Sequence, residues 1–372
     1  NLPHDWSIES EFKKDAPATN QGGSLPGGIG WYRKSFKVPA ADSNKVYTIC
    51  FDGVYRNSEV WINGNYLGKR PYGYVPFSYE LTRFLNLGKI NTIAVKVDNS
   101  HQPDSRYYTG SGIYRDVKLN ITGLTHLIES GVFVVPQLYN DSLAELSIQT
   151  NLYVRNPRYE VLDIQYEVLD PKGKKIPDAY QEELPVRRAD YPVHKYYEKY
   201  TLRNPVKWSP ENPVLYTLLT RVYRNGKLVD EMRTPFGIRA IRFDAAKGFF
   251  LNDQPYFIKG VCLHHDLGAL GAAYNSEAAK RQLRLLKEMG CNAIRVSHNP
   301  PAADFLDLCD RMGFLVMDEA FDTWTKKKNK FDYHIDFNEW HQADLEAMVL
   351  RDRNHPSVFM WSIGNELRNQ FD

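Results

Sequence analysis

Residues 351–366 read RDRNHPSVFMWSIGNE, and this stretch decides how the C-terminal third of the chain is interpreted. Ser357–Ile363 is an almost unbroken apolar run that begins just after a proline, so it predicts a β-strand buried on both faces. Asn365 and Glu366 follow at once. A polar pair at the carboxyl end of a parallel strand is typical of (β/α)₈ barrels, which hold their active sites there. An isolated Asn-Glu pair would more simply open a loop or cap a helix.

The preceding segment favours the barrel, because strand-like and helix-like runs alternate from about residue 242 onward. Such alternation predicts parallel βα units, and four strands make the first half of a (β/α)₈ TIM barrel over residues 242–372. Before Ser357–Ile363, the predicted strands are Tyr256–Cys262, Cys291–Val296 and Phe314–Met317, and the predicted helices are Ser276–Met289, Ala302–Met312 and Asn338–Arg353.

Polar and titratable side chains collect at the carboxyl end of each predicted barrel strand. These ends converge on one face of a barrel, so residues that are distant in sequence meet there. The opposite ends of the strands carry nothing comparable, which favours a functional site over four structural coincidences. The residues are His264, His265 and Asp266, then Arg295 and His298, then Asp318, Glu319 and Asp322, and finally Asn365 and Glu366.

The first two thirds of the chain predict two β-sandwiches. Residues 1–122 show strand-like runs between turn signals without a helical period, which favours a jelly-roll-like sandwich. Residues 123–241 favour an immunoglobulin-like sandwich that lacks the antibody-type disulfide, and we interpret it as a spacer. The predicted strands are Gly30–Val38, Lys45–Phe51, Ser58–Ile62, Thr92–Val97 and Asp116–Ile121, followed by Leu146–Val154, Tyr159–Leu169 and Val214–Tyr223.

Composition excludes several classes of partner. A net charge of +2 gives no general attraction to nucleic acid or to a membrane surface. The sequence has no run of 18 apolar residues that could span a bilayer. None of the 4 cysteines belongs to a C-x-x-C pair, so neither a zinc site nor a redox motif is indicated. The 13% aromatic content suits sugar stacking and sandwich cores equally well.

Residues 351–366 resemble the acid/base segment of glycoside hydrolase family 2, which contains β-galactosidases, β-glucuronidases and β-mannosidases. Gly27–Arg33, Val60–Gly64 and Gly110–Val117 resemble the sugar-binding-type domain of the same family, so the resemblance covers nearly the whole chain. It implies a retaining exo-β-glycosidase, in the first place a β-galactosidase that acts on terminal β-galactosides of oligo- or polysaccharides. Arg295–His298 matches the Arg-x-Ser-His motif of the family and disfavours the β-mannosidase branch.

The resemblance also implies roles for residues at the strand ends. Glu366 takes the role of general acid/base, and Asn365 binds the sugar 2-hydroxyl. His298 and His264 stand at positions expected to bind the sugar. Arg295 is expected to orient and charge the carboxylates, a role compatible with a structural ion pair in the barrel.

Two further parts of the chain match family positions near the sugar. Asp104 and Arg106 lie in a polar loop of the first domain, which in the family reaches over the barrel and contacts the non-reducing sugar. They are therefore candidates for hydroxyl recognition, with a surface ion pair on a hairpin as the alternative. Trp324 is expected to form a wall of the sugar pocket, with packing inside its own loop as the alternative.

Retaining cleavage needs two carboxyl groups roughly 5 Å apart. As the acid, Glu366 needs a pKa raised toward neutrality, by burial or by the charge of its partner. The resemblance places the nucleophilic Glu on the seventh barrel strand, beyond Asp372, so we expect these 372 residues to be inactive alone. Asp318 and Glu319 are the local alternatives, but the resemblance makes them structural partners of basic groups such as Arg295.

Some β-galactosidases of the family bind Mg²⁺ through a Glu and a His just after the third strand. Thr323 and Thr325 stand at the matching positions and are poor ligands, so we expect no magnesium held in that way and no other cofactor. The next residues, Lys326–Lys328, predict a solvated loop.

Two other functions remain open from the sequence. One is a β-glucuronidase of the same family, and the other is a non-catalytic carbohydrate-binding protein, which would leave Glu366, Arg295 and His298 unexplained. A homo-oligomer is also left open. The chain starts at Asn1 in the middle of the family pattern, so we expect a trimmed N-terminus and a periplasmic or secreted bacterial protein.

Overall fold

The computed structural model describes residues 1–155, 162–177, 181–183, 188–190 and 192–368. The predicted strand Tyr159–Leu169 therefore begins outside the described residues and is seen from Leu162. No α-helix within the described ranges combines the length and apolar character needed to cross a lipid bilayer.

The strands are β1 (Gly28–Lys37), β2 (Lys45–Phe51), β3 (Ser58–Ile62), β4 (Asn65–Arg70), β5 (Phe77–Glu80), β6 (Ile90–Asn99), β7 (Val117–Gly123), β8 (Thr125–Asn140), β9 (Leu143–Val154), β10 (Leu162–Leu169), β11 (Gln181–Glu183), β12 (Arg188–Asp190), β13 (Val193–Arg203), β14 (Tyr216–Arg224), β15 (Lys227–Phe236), β16 (Ile241–Asp244), β17 (Gly248–Leu251), β18 (Gln254–Pro255), β19 (Gly260–Leu263), β20 (Ala293–Val296), β21 (Leu315–Glu319) and β22 (Val358–Ser362). The α-helices are α1 (Ser276–Glu288), α2 (Ala303–Met312) and α3 (Phe337–Asp352). Short 3₁₀ helices span Asp42–Asn44, Thr82–Phe84, Gly268–Leu270 and Tyr333–Ile335.

The first domain is a sandwich of two antiparallel sheets, ordered β1-β6-β3-β4 and β5-β2-β7. Strand β6 alternates buried and more exposed residues, which turns Ile93, Val95 and Val97 toward the second sheet. Phe51 and Val60 close the same core. A strand with one buried face shows this two-residue period, so the predicted sandwich is confirmed.

The second domain is also a sandwich, with one sheet ordered β10-β14-β15 and the other ordered β11-β13-β9-β8, where β12 pairs with β13. Leu146, Ile148 and Leu152 of β9 face Leu218 of β14 across the core. No residue of this domain reaches the strand ends described below among the contacts that the described residues make. Its interpretation as a spacer stays a prediction.

The third domain begins with the small antiparallel sheet β16-β17-β18 and continues as the parallel sheet β19-β20-β21-β22. The parallel strands are neighbours in chain order, and α1 and α2 connect successive strands while α3 precedes β22. Leu283 of α1 and Leu306 of α2 are completely buried in one core with the sheet residues Ile294 and Val316. The predicted first half of a (β/α)₈ barrel is thus confirmed.

The expectation that Ser357–Ile363 is buried on both faces is wrong. The strand itself is Val358–Ser362, and Val358 is buried, but Trp361 and Ile363 are 40% and 59% exposed. Among the strands that the structure describes, β22 pairs with β21 alone, so its other edge has no strand partner there.

Buried arginines join the first sandwich to the half-barrel. Arg115 is 1% exposed and donates to the carbonyls of Tyr74, in its own domain, and Pro300, in the barrel. Tyrosine rings surround this joint, so the contact is both apolar and hydrogen-bonded. Further ion pairs across the interface include Arg56–Asp336 at 2.9 Å, Arg70–Asp344 at 2.6 Å and Arg351–Asp52 at 3.1 Å.

Replacing Leu283 by Ala tests how α1 packs on the parallel sheet. The side chain is 0% exposed, so the lost contacts and the remaining cavity should destabilise the barrel domain by about 2–5 kcal/mol. Leu285→Ala on the same helix is the matched control, because Leu285 is 39% exposed and its loss should change stability by only about 0.5 kcal/mol. Urea unfolding followed by tryptophan fluorescence measures both variants, and equal shifts of the midpoint would contradict this packing.

Candidate active site

The carboxylate of Glu319, at the end of β21, binds side chains from the two neighbouring strands at the carboxyl end of the parallel sheet. Arg295 at the end of β20 grips it with two groups, Nε at 2.9 Å from Oε2 and Nη2 at 2.9 and 2.7 Å from Oε1 and Oε2. Ser362 at the end of β22 donates its hydroxyl to Oε2 at 2.7 Å, and Nδ1 of His298 lies 2.7 Å from Oε1. The implied pairing of Glu319 with Arg295 is present.

Glu319 is held as an anion. Burial raises the pKa of its carboxyl, but the hydrogen bonds from His298, Ser362 and Arg295 outweigh burial and hold the pKa below its usual value. All four acceptor positions of the carboxylate face donors, and the side chain is 0% exposed. Glu319 is therefore a structural anion rather than an attacking group.

Asp318 is also closed to substrate. It is 0% exposed, and burial together with the charge of Asp352 raises the pKa of its carboxyl well above the ordinary value. A buried acid whose neighbour is a second carboxylate favours the protonated form. Neither Asp318 nor Glu319 can act as the nucleophile in this arrangement.

Asn365 links the Glu319 cluster to a second anion, Asp322. Its Oδ1 accepts a hydrogen bond from Arg295 at 3.0 Å, and its Nδ2 donates to Oδ1 of Asp322 at 2.9 Å. Its backbone N–H donates to the carbonyl of Phe321 at 3.0 Å. Both ends of the amide are thus oriented, and among the hydrogen bonds of the described residues Nδ2 uses one of its two N–H groups.

Glu366 stands at the rim of this cluster, with a side chain that is 69% exposed. Its Oε2 accepts a hydrogen bond from Nη1 of Arg106 at 3.0 Å. This bond, the charge of Arg106 and the charge of Lys328 lower the pKa of Glu366. The pKa of Glu366 is therefore not raised as expected in this structure, because cations lie beside the carboxyl group and the side chain is exposed to solvent.

The loop of the first domain reaches over the barrel, as the resemblance implies, and delivers Arg106 to the site. Besides Glu366, Arg106 contacts Oδ1 of Asp322 at 3.2 Å. Asp104 does not join it. It is 6% exposed, accepts the hydroxyl of Tyr55 at 2.7 Å and lies 3.6 Å from Arg56.

Both alternatives predicted for Asp104, hydroxyl recognition and a surface ion pair, need correction. Its carboxylate is enclosed at the domain joint, so it forms neither a surface ion pair nor a contact open to a sugar hydroxyl. The docking of the two domains buries this part of the loop, whereas Arg106 is long enough to emerge from it.

His264 and His298 form one aromatic edge of the site. Their ring centroids lie 5.4 Å apart in an edge-on arrangement, and the ring of Tyr107 lies 4.6 Å from that of His264. Burial and the neighbouring His298 lower the pKa of His264, so its imidazole is neutral at pH 7. A neutral imidazole has one donor and one acceptor nitrogen, which suits a hydroxyl ligand.

Trp324 lies beneath the end of β22. Its indole Nε1 donates to the carbonyl of Ile363 at 2.9 Å, and its ring stacks on Phe337 at a centroid distance of 5.7 Å. The indole therefore supports the segment that carries Glu366. Its role as a wall of the sugar pocket stays a prediction.

Lys328 is a site residue that sequence reasoning missed. Lys326 and Lys327 are exposed, as predicted for a solvated loop, but the side chain of Lys328 is only 3% exposed. Its ammonium contacts Asp322 and the backbone of Asn365. The sequence did not indicate this role, because a run of three lysines is typical of a surface. The backbone carbonyls that bind Lys328 also have no recognisable sequence pattern.

The residues after β21 do not fit the magnesium site of some family members. Thr323 is 2% exposed and donates its hydroxyl to the carbonyl of Lys326 at 2.9 Å. Thr325 offers at best one neutral oxygen, and Mg²⁺ prefers carboxylates. Elsewhere in the barrel, Asp307, Asp310 and His355 bring possible metal-binding atoms within 4.8 Å of one another. Asp310 and His355 are, however, already hydrogen-bonded to each other.

Three family models match consecutive parts of the chain. They are the sugar binding domain of glycosyl hydrolases family 2 over residues 17–123, a second family 2 domain over residues 125–239, and the family 2 TIM barrel domain over residues 244–371. The chain belongs to glycoside hydrolase family 2. Its sugar binding domain, immunoglobulin-like domain and half-barrel are the three domains described above.

Relatives in family 2 differ in the activity their names give. A β-galactosidase of Bacteroides ovatus is 51% identical over 371 residues, covering 100% of this chain and 43% of the relative. A family 2 structure from Bacteroides cellulosilyticus aligns with a TM-score of 0.95 at 39% identity, covering 100% of this chain and 48% of the other. A β-glucuronidase structure from Bacteroides uniformis aligns with a TM-score of 0.84 at 28% identity, covering 99% and 43%. The chain thus spans less than half the length of these relatives.

Glu319→Gln tests whether Glu319 is the anion that holds the strand ends together. Removing one member of a buried ion pair destabilises by about 3–5 kcal/mol, and we expect the lower end because Arg295 is 31% exposed. The pKa of Glu319 is lower when folded, so its contribution is complete above the unfolded pKa of about 4.3 and is lost as pH falls through the folded pKa. The variant should therefore have a lower urea midpoint at neutral pH and a flatter decline in acid.

The exposed residue Glu339 on α3 supplies the control, Glu339→Gln, for the same charge change. Urea midpoints measured from pH 3 to pH 7 compare the two variants with the wild type. An acid decline as steep in Glu319→Gln as in the wild type would show that other carboxylates dominate.

Proposed function

We propose that this chain supplies the acid/base half of the active site of a retaining exo-β-galactosidase. The observation that carries the proposal is the arrangement at the end of β22, where Glu366 faces solvent beside an Asn365 amide held between Arg295 and Asp322. The 51% identity to a β-galactosidase supports the choice of galactoside. The activity belongs to the whole protein, since the chain covers 43% of that relative.

The reaction proceeds in two steps. Glu366 donates its proton to the glycosidic oxygen while a second carboxylate attacks the anomeric carbon, which releases the aglycone and forms a glycosyl ester. Glu366, now a base, takes a proton from water as that water displaces the ester, so the anomeric configuration is retained and the acid is regenerated. Because Asp318 and Glu319 are buried, we expect the second carboxylate on a later barrel strand, and we expect no turnover by these residues alone.

The remaining site residues are proposed to bind the sugar. Asn365 is placed to bind the 2-hydroxyl, and His264 and His298 can each pair with a hydroxyl. Arg106 can leave Glu366 and bind a hydroxyl oxygen on the same rim. No step of this scheme uses a metal ion.

A β-glucuronidase is the second candidate. The similarity to the B. uniformis β-glucuronidase favours it, and so does the cation at the rim, Arg106. Arg106 could pair with the carboxylate of a glucuronide. The two candidates share the acid/base chemistry and differ in the substituent on the sugar.

The assay compares aryl β-galactoside with aryl β-glucuronide on the full-length protein. We expect turnover of the galactoside, and Glu366→Gln should lower kcat by about 10²–10⁴-fold because proton transfer to the leaving group is lost. Azide should restore turnover of an activated aryl galactoside in this variant and yield a β-glycosyl azide, since azide needs no general base.

The outcomes of this assay distinguish the three candidate functions. Turnover of glucuronide alone would establish the second candidate. Turnover that is indifferent to Glu366→Gln would overturn the mechanism, and sugar binding without turnover in the wild type would indicate a carbohydrate-binding protein.

A further inference from the structure

The ammonium group of Lys328 is enclosed at the base of the candidate active site. Its side chain is 3% exposed, and its Nζ lies 2.6 Å from the carbonyl oxygen of Asp322, 3.1 Å from Oδ1 of Asp322 and 2.5 Å from the carbonyl oxygen of Asn365. An ammonium has three donors and no acceptor, so these three oxygens satisfy it completely. Lysines are rarely buried unless paired in this way.

These bonds join two segments that are distant in sequence. Asp322 belongs to the loop after β21, and Asn365 follows β22 and directly precedes Glu366. Lys328 is therefore bound to the peptide group that connects Asn365 to the acid/base residue. It also holds the carboxylate of Asp322 in place to accept the side-chain amide of Asn365 at 2.9 Å.

The backbone at Glu366 needs such support. Its φ is +44°, in the left-handed region that a residue with a side chain seldom adopts. Conformations of this kind persist where the surrounding structure fixes them. Here the same loop supplies three supports of the preceding residues: the indole of Trp324 on Ile363, the carbonyl of Phe321 on the N–H of Asn365, and Lys328 on the Asn365 carbonyl.

We propose that Lys328 is the positioning residue of the acid/base carboxylate: its ammonium fixes the Asn365–Glu366 peptide and thereby the direction from which Glu366 meets the glycosidic oxygen. This inference rests on the proposed function and adds a residue to it. Lys328 exchanges no proton and touches no substrate. Its positive charge also contributes to the lowered pKa of Glu366.

The proposed role of Lys328 predicts that its loss affects substrates according to their leaving group. A misplaced acid slows the departure of an alcohol or phenol that needs protonation, whereas an activated phenol departs without it. Loss of Lys328 should therefore impair substrates with poor leaving groups selectively. A general loss of structure would impair all substrates alike.

The test uses the full-length protein with Lys328→Met, which keeps the apolar stem and removes the charge. The kcat/KM for phenyl β-galactoside should fall by about 10–10²-fold, within what general acid catalysis contributes. The value for dinitrophenyl β-galactoside should stay within about threefold of the wild type. KM should change less than kcat, because Lys328 itself makes no contact with the sugar in this proposal.

The pH profile gives a second readout. The acid must be protonated, so activity declines above its pKa, and removal of a nearby cation raises that pKa. The alkaline limb of kcat/KM should consequently move to higher pH in Lys328→Met. Lys327→Met, an exposed neighbour in the same loop, serves as the matched control and should leave both readouts unchanged.

The results that would contradict the proposed role of Lys328 can be told apart. Equal losses for both substrates with an unchanged alkaline limb would reduce Lys328 to a structural role, and no loss at all would overturn the inference. If Lys328→Met does not fold, Lys328→Arg decides, since its retained charge but altered geometry should still produce the leaving-group dependence. A wild type that cleaves neither glycoside would reject the proposed function itself, and the inference with it.

Discussion

The site depends first on one buried carboxylate, that of Glu319. It ends β21, and both neighbouring strands supply donors to it: Arg295 lies in β20 and His298 just after it, and Ser362 ends β22. A buried anion with this many donors is stable only if all of them are in place, because a missing partner leaves a charge without compensation. The carboxylate therefore sets the relative positions of the strand ends, and Arg295 transmits that position to Asn365.

A second layer of charge comes from another domain. Arg56, Arg70 and Arg115 fix the first sandwich against the barrel, and this docking places Arg106 between Asp322 and Glu366. The rim of the site is therefore shared between two domains. A change at the domain joint, even far from the strand ends, can alter how often Arg106 contacts Glu366. Among the described residues, the second domain takes no part in these contacts.

Much of this arrangement could be predicted from sequence, for physical reasons. Alternating βα units confine polar strand-end residues to one face, so the meeting of Arg295, Glu319 and Asn365 followed from topology. The errors arose where a neighbour from another segment decides the environment. An apolar run does not reveal which strands cover it, so the exposure of Trp361 was missed. Asp104 is buried by domain docking, and Lys328 by backbone carbonyls, and neither kind of partner has a recognisable sequence pattern.

The state of Glu366 shows what the surrounding charges must accomplish. An acid catalyst has to hold a proton near neutral pH, yet Arg106 and Lys328 favour the ionised form of Glu366. The two cations differ in how easily they can be removed. Arg106 is 34% exposed and its bond to Glu366 lies in solvent, where ion pairs are weak and readily exchanged. Lys328 is enclosed and bound to three oxygens, so it stays. A bound sugar that takes Arg106 away, together with a second carboxylate nearby, would raise the pKa of Glu366 without disturbing its position. In the proposed mechanism the two requirements are thus separate: the fixed cation would maintain geometry, and the exchangeable one would control protonation.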